Sequence, residues 1–485
     1  MNNYPPLSLI LIGSSLEKAG YDVEIFIASN HDNYLDRIKT RLTENTLFVG
    51  ITVLTTEVAD AITISKYIKK ISNVPIVWGG WHTTLFPEQT VAADFIDYIV
   101  VNEGDSSIVG LAEQLKKGEA PSINIICASK HLNMDDLPFP NYSMVQEVED
   151  FVSRPLADKF QESFTYPIRW LPYQSSRGCP GKCSFCINVV TGNQRYRTKS
   201  AEKVVDELEL LIKKYSINHF KILDDNFFAS KDRVKKICEL IIERKLQFTW
   251  DGECRPDYFK EEFIDDDLLK LLKKAGLVQL VLGVESASKR TLEYLNKGIE
   301  ADDARRAIRR LNQHGIISDC AFIVGIPGET KEDIIKTSDF INEQRRFNTF
   351  LCGVQTYRPY PKSKIASQLI NEKKLKEPRS LEEWRDEEVV SLYTYIDAYR
   401  PWIDDYKFSM NISYYHSLAS GVWLFQHQID NTFYRMVNRL FLKIALFRTK
   451  YLFFFFPVDK KIYSYFRSKM YQRLEKKEKE RILAN

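Results

Sequence analysis

The chain has 485 residues, is 44% hydrophobic and 27% charged, and carries a net charge of only +3, so it can bury the cores of two or three domains. This composition excludes general disorder and a global nucleic-acid-binding charge. Eight cysteines are present and three crowd between 179 and 186; with no basic leader after Met1-Asn2-Asn3-Tyr4, a reducing cytoplasm and a metal role for those thiols are expected rather than a disulfide framework.

Helix and strand signals alternate through residues 1–128, the pattern of a parallel α/β sheet. Leu7–Lys18 reads as a helix stopped by Gly20, Tyr21–Ala28 as a strand, Leu47–Thr52 as a strand and Val58–Ile71 as a helix. Val74–Val77 is a strand running into Gly79-Gly80, and Asp97–Val101 one ending at Glu103-Gly104. Residues 129–165 form a connector, marked by Asp135-Asp136-Leu137-Pro138-Phe139-Pro140. A second α/β series occupies 166–365. Ser200 caps a helix whose Val204, Leu208, Leu211 and Ile212 share a face, and strands follow at Phe220–Leu223, Phe248–Trp250, Val278–Val284, Ala321–Val324 and Phe350–Val354. Strict alternation in the third of these places Glu285 opposite Val284 at the carboxyl end, the working edge of a parallel barrel. Residues 366–485 read as a helical, aromatic domain ending in a solvated charged helix, Leu474–Arg481. No run of eighteen apolar residues occurs; Tyr451–Pro457, with four phenylalanines between basic flanks, reads as a buried aromatic turn, with an interfacial contact as the alternative.

The sharpest chemical signal is Ser176-Arg177-Gly178-Cys179-Pro180-Gly181-Lys182-Cys183-Ser184-Phe185-Cys186. Three thiolates in one loop supply three corners of an iron–sulfur cubane and leave one iron without a protein ligand. Zinc is the alternative and needs a fourth Cys or His; His131 and His219 are the nearest in sequence. Cys127, Cys238, Cys254, Cys320 and Cys352 are scattered singly and are expected to be small buried apolar residues. Arg195 and Arg197 suit an ion pair, or a clamp on a loop or substrate anion.

This Cys-x3-Cys-x2-Cys loop resembles the signature of the radical S-adenosylmethionine superfamily. The resemblance implies a [4Fe–4S] cluster on Cys179, Cys183 and Cys186, whose open iron binds S-adenosylmethionine and drives its cleavage to a 5′-deoxyadenosyl radical. Gly283-Val284-Glu285-Ser286, Gly325-Ile326-Pro327-Gly328-Glu329-Thr330 and Asp224-Asp225-Asn226-Phe227 resemble further motifs of the superfamily. They imply S-adenosylmethionine contacts at Phe185, Asp225, Glu285, Ser286, Ile323 and Gly325. In the N-terminal half, Pro5-Pro6-Leu7-Ser8-Leu9, Leu16-Glu17-Lys18-Ala19-Gly20-Tyr21, Gly79-Gly80-Trp81-His82, Leu85-Phe86-Pro87-Glu88 and Asn102-Glu103-Gly104-Asp105 resemble the cobalamin-binding domain of cobalamin-dependent radical enzymes. Thr52, Gly79, Gly80, Trp81, His82, Glu103 and Gly104 are the implied cobalamin contacts. Arg448 with Phe455-Phe456-Pro457-Val458-Asp459 resembles the C-terminal tail in parts of the same group.

The resemblance implies a Rossmann-like cobalamin-binding domain, a partial (β/α)6 barrel and a helical C-terminal domain. The family's first strand normally precedes the Pro5-Pro6 segment, and only Met1–Tyr4 do so here, so that strand is expected to be missing and cobalamin binding impaired. No Asp-x-His-x-x-Gly motif occurs: His31 lies in Asn30-His31-Asp32 and His82 follows another strand, so a histidine ligand to cobalt is not expected. The expected reaction is C-methylation of an unactivated carbon, with cobalamin-assisted rearrangement or oxidative cyclisation, or a degenerate cluster-binding protein, as alternatives. The expected partners are a small-molecule, lipid or peptide substrate, an electron donor such as flavodoxin or ferredoxin, no nucleic acid, and a peripheral membrane contact through the C-terminal region.

Overall fold

The computed structural model describes residues 5–28, 33–119, 121, 123–127, 132–146, 148–153, 168–191, 195–260, 263–393, 399–425 and 432–469. Met1–Tyr4, His31, His131 and Leu474–Arg481 lie outside the described residues.

Four parallel strands, β1 (Val49–Thr52), β2 (Ile76–Gly79), β3 (Tyr98–Val101) and β4 (Ile125–Cys127), form the first sheet in that spatial order. Its strands are short apolar runs because both faces are covered. The helix Val58–Ile71 lays Val58, Ile62 and Ile68 over Ile76 and Trp78 on one face. Helices Leu7–Lys18 and Ser107–Lys116 bring Leu16, Ile108 and Leu111 against Val77 and Val100 on the other. One expectation fails here and one strand was not anticipated. Tyr21–Ala28 is not a strand: it makes one parallel bridge, Ile25 to Val145, with the Ile25 N–H donating to Met144 at 2.9 Å. It has the alternation of a strand, but it lies against the connector instead of in a ladder. The strand β4 carries no signal of its own, having only three residues.

The connector keeps short turns at Met134–Asp136 and Tyr142–Met144 and leads into a second, six-stranded parallel sheet. Its strands are β5 (Trp170–Tyr173), β6 (His219–Ile222), β7 (Thr249–Cys254), β8 (Leu277–Glu285), β9 (Ile317–Val324) and β10 (Phe350–Thr356), each paired to the next. β5 holds Pro172, which hid it as a strand; it is an edge strand, where proline is tolerated. Helices connect the strands from β6 onward, as a right-handed parallel winding requires. Ser200 caps the helix Ala201–Tyr215 by accepting from the Lys203 N–H at 3.3 Å, and Asp265 caps Asp266–Lys274 through Leu268 at 2.8 Å. In β8, Leu280, Leu282 and Val284 are fully buried against the helix layer, leaving Val281 and Gly283 to the lumen.

Two C-terminal helices, Tyr406–Phe425 and Thr432–Tyr451, pack on each other, and the first of them also packs on β10. Of the Phe453–Phe456 run only Phe454 is buried, so the expected buried turn is mostly outward-facing. Among the single cysteines, Cys238, Cys254, Cys320 and Cys352 are buried as expected and Cys127 is exposed. Cys320 and Cys352 are register partners on β9 and β10, both turned away from the lumen.

Gly276, just before β8, has φ +94°, and a Cβ there would lie 2.2 Å from the Phe248 carbonyl oxygen. Gly315, before β9, has φ +63° with open space around it. Gly315→Ala is therefore expected to cost about 1 kcal/mol from backbone strain alone, and Gly276→Ala more than about 3 kcal/mol, because a neighbouring strand must also move. Urea midpoints of the two variants against the parent check the ordering.

Candidate functional site

Three consecutive residues after β6 hold the cysteine loop. The buried Asp224 carboxylate accepts from the Ser175 N–H (2.6 Å) and from the Ser175 and Ser176 hydroxyls (2.5 and 2.6 Å). Asp225 accepts from the Gly178 N–H and the Asn188 amide, both at 2.9 Å. The Asn226 amide donates to the Cys179 sulfur at 3.6 Å and to the Tyr258 hydroxyl at 2.8 Å. On the other side, Ser184 N–H donates to the Leu295 carbonyl at 2.9 Å and the Asn296 amide to that of Lys182 at 2.7 Å. Gly181 sits close under two of the thiols: a Cβ there would lie 3.3 Å from the Cys179 sulfur and 3.9 Å from the Cys183 sulfur. Burial pushes the Cys186 thiol up to about 11, with Cys183, Cys179 and Asp225 adding to the rise. Three thiolates so placed need positive charge. His219 is not a fourth ligand candidate, because its ring is committed to Thr249 (2.8 Å) and Asp251 (3.0 Å).

Cations do stand beside the loop, and sequence reading missed them. Lys297 reaches Glu285 at 2.8 Å and lies 5.9 Å over the Phe185 ring. Arg255 is held by Asp257 (3.0 Å) and donates to the Lys297 carbonyl at 2.9 Å. The Arg-Pro-Asp run at the end of β7 is the local signal for Arg255; Lys297 gave none, being separated from Glu285 by the helix Lys289–Tyr294. Glu285 is left-handed, φ +66°, at the end of β8, and a Cβ on Gly283 would lie 2.9 Å from both the Glu285 carboxylate and the Lys297 ammonium. The Ser286 hydroxyl instead joins a buried network, sharing a hydrogen with Thr337 at 3.0 Å and accepting from the Ser288 N–H at 3.1 Å. Glu253, on β7, is also unanticipated. It is reachable by water within the lumen, and burial pushes its carboxyl up, with Asp225 adding to the rise and Lys221 opposing it. Ile323 lies on the half-buried face of β9. Gly325, at φ +74°, lies under Ile403, and its N–H donates to Glu329 at 2.8 Å; burial pushes that carboxyl up to about 8.

The first sheet offers its carboxyl edge to the same region. Val53 after β1, Ile326 after β9 and Tyr357 after β10 belong to one buried cluster, which Phe185 and Ile323 join. Gly80 has φ +97°, and a Cβ there would strike Thr52 Oγ1 and the Val53 backbone at 2.9 Å. Trp81 and Leu54 are exposed at this edge. Glu103 is engaged by Arg197 and by Arg177 (3.2 Å), and Asp105 takes Arg177 in two bonds of 2.7 and 3.1 Å. Burial works against the Glu103 charge, yet the two guanidinium groups hold its carboxyl below the usual range. Gly104 packs against Ile12 and Val100. This ion cluster ties the first sheet to the residue two before Cys179.

His82 is fully buried between Phe86 and Trp384 (ring centroids 5.2 and 5.4 Å), and among the described residues neither ring nitrogen has a hydrogen-bond partner. Burial lowers its pKa from 6.5 to about 3. Between those values the unfolded chain binds a proton that the folded chain refuses, so His82 makes stability fall as pH drops below about 6.5. His82→Leu is expected to flatten that fall by at most about 1.4 kcal/mol per pH unit. Urea unfolding between neutral pH and about pH 4.5 checks it; an unchanged slope would mean that the ring finds a partner in solution.

Against known proteins, residues 173–341 match the radical SAM superfamily and residues 2–112 the B12 binding domain. The chain is 29% identical over 377 residues to an uncharacterized methyltransferase of Pyrococcus horikoshii, covering 74% of this chain and 77% of that protein. It is 28% identical over 389 residues to an anaerobic magnesium-protoporphyrin IX monomethyl ester cyclase of Rubrivivax gelatinosus, covering 76% of this chain and 66% of the cyclase. The fold aligns with the radical S-adenosylmethionine methyltransferase TsrM of Kitasatospora setae, solved with cobalamin and a [4Fe–4S] cluster, at a TM-score of 0.59 and 20% identity, over 75% of each chain. It also aligns with the cobalamin-dependent radical enzyme OxsB at 0.62 and 17%, over 93% of this chain and 70% of that one. With a B12-binding domain followed by a radical SAM domain, the chain belongs to the cobalamin-binding radical S-adenosylmethionine enzymes.

Proposed function

We propose that this enzyme methylates an unactivated carbon of a small molecule, using a [4Fe–4S] cluster, S-adenosylmethionine and cobalamin. The observation that carries the reading is the meeting of two carboxyl edges: the cysteine loop and Glu285 on one side, Gly79-Gly80 and the His82 turn on the other, joined by Glu103, Asp105, Arg177 and Arg197. The residues fit the groups. Cys179, Cys183 and Cys186 would hold the cluster, with Arg255 and Lys297 offsetting its negative charge. Glu285, the Gly325 turn and Ile323 suit S-adenosylmethionine: a carboxylate for a hydroxyl or ammonium group, and close backbone with an apolar side chain for the base. The exposed Leu54 and Trp81, the glycine pair and the two unpartnered His82 nitrogens suit a broad ring with polar substituents. When bound, these groups supply reductive cleavage of S-adenosylmethionine, hydrogen abstraction and methyl transfer.

The chain's own residues do the positioning. Asp224, Asp225 and Asn226 fix the loop that bears the thiols. Lys297 orients the Glu285 carboxylate, and the lumen side chain of Glu253 faces the space left for substrate. Electrons would come from a flavodoxin or ferredoxin. Oxidative cyclisation is the second reading, favoured by the cyclase relative. Methyl transfer consumes two S-adenosylmethionine per turnover and releases S-adenosylhomocysteine beside 5′-deoxyadenosine; cyclisation releases no S-adenosylhomocysteine. Reduced, cobalamin-supplemented protein given a small-molecule extract distinguishes them by that product ratio.

Two variants test the site. Replacing Cys179, Cys183 and Cys186 together with Ala is expected to abolish iron loading and 5′-deoxyadenosine formation; full iron content in that variant would place the cluster elsewhere. Glu285→Gln keeps the shape while removing the charge, and is expected to weaken S-adenosylmethionine binding by roughly 10- to 100-fold with iron content intact. An unchanged dissociation constant would remove Glu285 from the site.

A further inference from the structure

The helix Thr432–Tyr451 has one face used and one face free. Phe441 and Ala445 are buried against the rest of the protein, whereas Met436, Leu440, Phe447 and Tyr451, spaced as a helical stripe, are exposed. The turn that follows continues that apolar surface: Phe455 is 71% and Phe456 83% exposed. Phe456 is also left-handed, φ +51°, an unfavourable conformation for an aromatic residue.

The turn is built to stay that way. All five N–H donors of the buried Arg448 are spent on it: Nη1 on the Phe453 and Phe455 carbonyls (2.8 and 3.1 Å), Nη2 on the Phe456 carbonyl (3.1 Å) and Asp459 (2.6 Å), and Nε on Asp459 (3.2 Å). A fully satisfied guanidinium thus holds two phenyl rings in water, where they gain nothing from folding.

Charge identifies what covers them. Across residues 432–469, Lys and Arg outnumber acidic residues nine to one, and the one, Asp459, is paired with Arg448. That segment carries +8 of a chain total of +3, leaving −5 on the remainder. A second copy would bring like charge against like. An anionic bilayer instead attracts this segment, takes up its aromatic rings at the interface and repels the remainder, which fixes the orientation. No helix among the described residues is long and apolar enough to cross a membrane. We propose that the surface formed by the helix Thr432–Tyr451 and the Phe453–Phe456 turn docks the enzyme on anionic lipid bilayers, as a peripheral contact independent of the reaction catalysed.

The test is co-sedimentation of the full chain with vesicles of phosphatidylcholine alone and of phosphatidylcholine with phosphatidylglycerol, at low and high salt. Binding is expected only with phosphatidylglycerol, weakened by salt. The double variant Phe455→Ser, Phe456→Asn removes the rings, with asparagine chosen because it tolerates the left-handed backbone, and is expected to bind at least about tenfold more weakly. The triple reversal Arg435→Glu, Arg439→Glu, Lys443→Glu leaves the turn untouched and is expected to do the same, which keeps the test valid if the first variant misfolds. Melting temperature and light scattering serve as controls for fold and size. Absence of vesicle binding, equal binding to pure phosphatidylcholine, or full binding by well-folded variants would overturn the proposal. So would self-association that the ring variant abolishes, occurring in place of lipid binding.

Discussion

The site depends on one constraint: a loop rich in glycine and cysteine must be held open around a charged cluster without collapsing. Asp224, Asp225 and Asn226 impose it from three adjacent positions at the end of β6, each taking a different part of the loop. Alternation sends successive side chains in different directions at a strand's end, so one tripeptide can reach the approach strand, the first glycine and the first sulfur. Asp224 pays for this with a buried carboxylate, tolerable because three donors converge on it. Asp225 thereby acquires a second duty beside any contact with a cofactor, since the Gly178 N–H and the Asn188 amide already occupy an oxygen each.

The same loop is tied from the opposite domain. Arg177 stands two residues before Cys179 and is gripped by Asp105 in a two-point pair, the geometry that carries most directional information for a guanidinium. A shift of the first domain therefore moves the loop, and the ion cluster sets the spacing between the two carboxyl edges. Its worth lies in geometry more than in stability, because buried ion pairs recover little beyond their desolvation cost.

Much of this was legible in the sequence. The helices Leu7–Lys18 and Val58–Ile71 fall where their periodicity places them, and strict alternation in β8 located Glu285. What escaped did so for physical reasons. β4 is too short to show a period, and β5 contains a proline that only an edge strand accepts. Tyr21–Ala28 has the right residues but no neighbouring ladder. The partners of motif residues were the least visible: Lys297 meets Glu285, and Arg197 meets Glu103, across distances that only the fold closes. Glu103 shows how little a motif says of a residue's partners, because a carboxylate at a strand's end can serve an ion pair as well as a ligand. The Phe453–Phe456 run shows the converse, since hydrophobicity favoured burial, whereas in the fold Arg448 holds the Phe453, Phe455 and Phe456 carbonyls and the Phe455 and Phe456 rings lie outward.

Backbone strain marks the working edges of both sheets. Asn102 after β3, Glu285 at the end of β8, Gly80 after β2 and Gly325 after β9 all have positive φ. Three of these suit the conformation, asparagine and glycine being the residues that reach it at least cost. Glu285 does not, and nothing about the turn itself calls for a long acidic side chain. Glycine would relieve the backbone at once, but it would leave the Lys297 ammonium buried without a counter-charge, at a cost of several kcal/mol against about 1 kcal/mol of strain. The pair alone does not explain the choice either, because an apolar residue in place of both would remove the charges together. A strained carboxylate kept beside a buried ammonium, with Gly283 leaving room for both, agrees with the S-adenosylmethionine contact proposed for Glu285. On that view the sheet edges hold their strain where cofactors must approach the backbone closely, and the helices behind them supply the stability that offsets it.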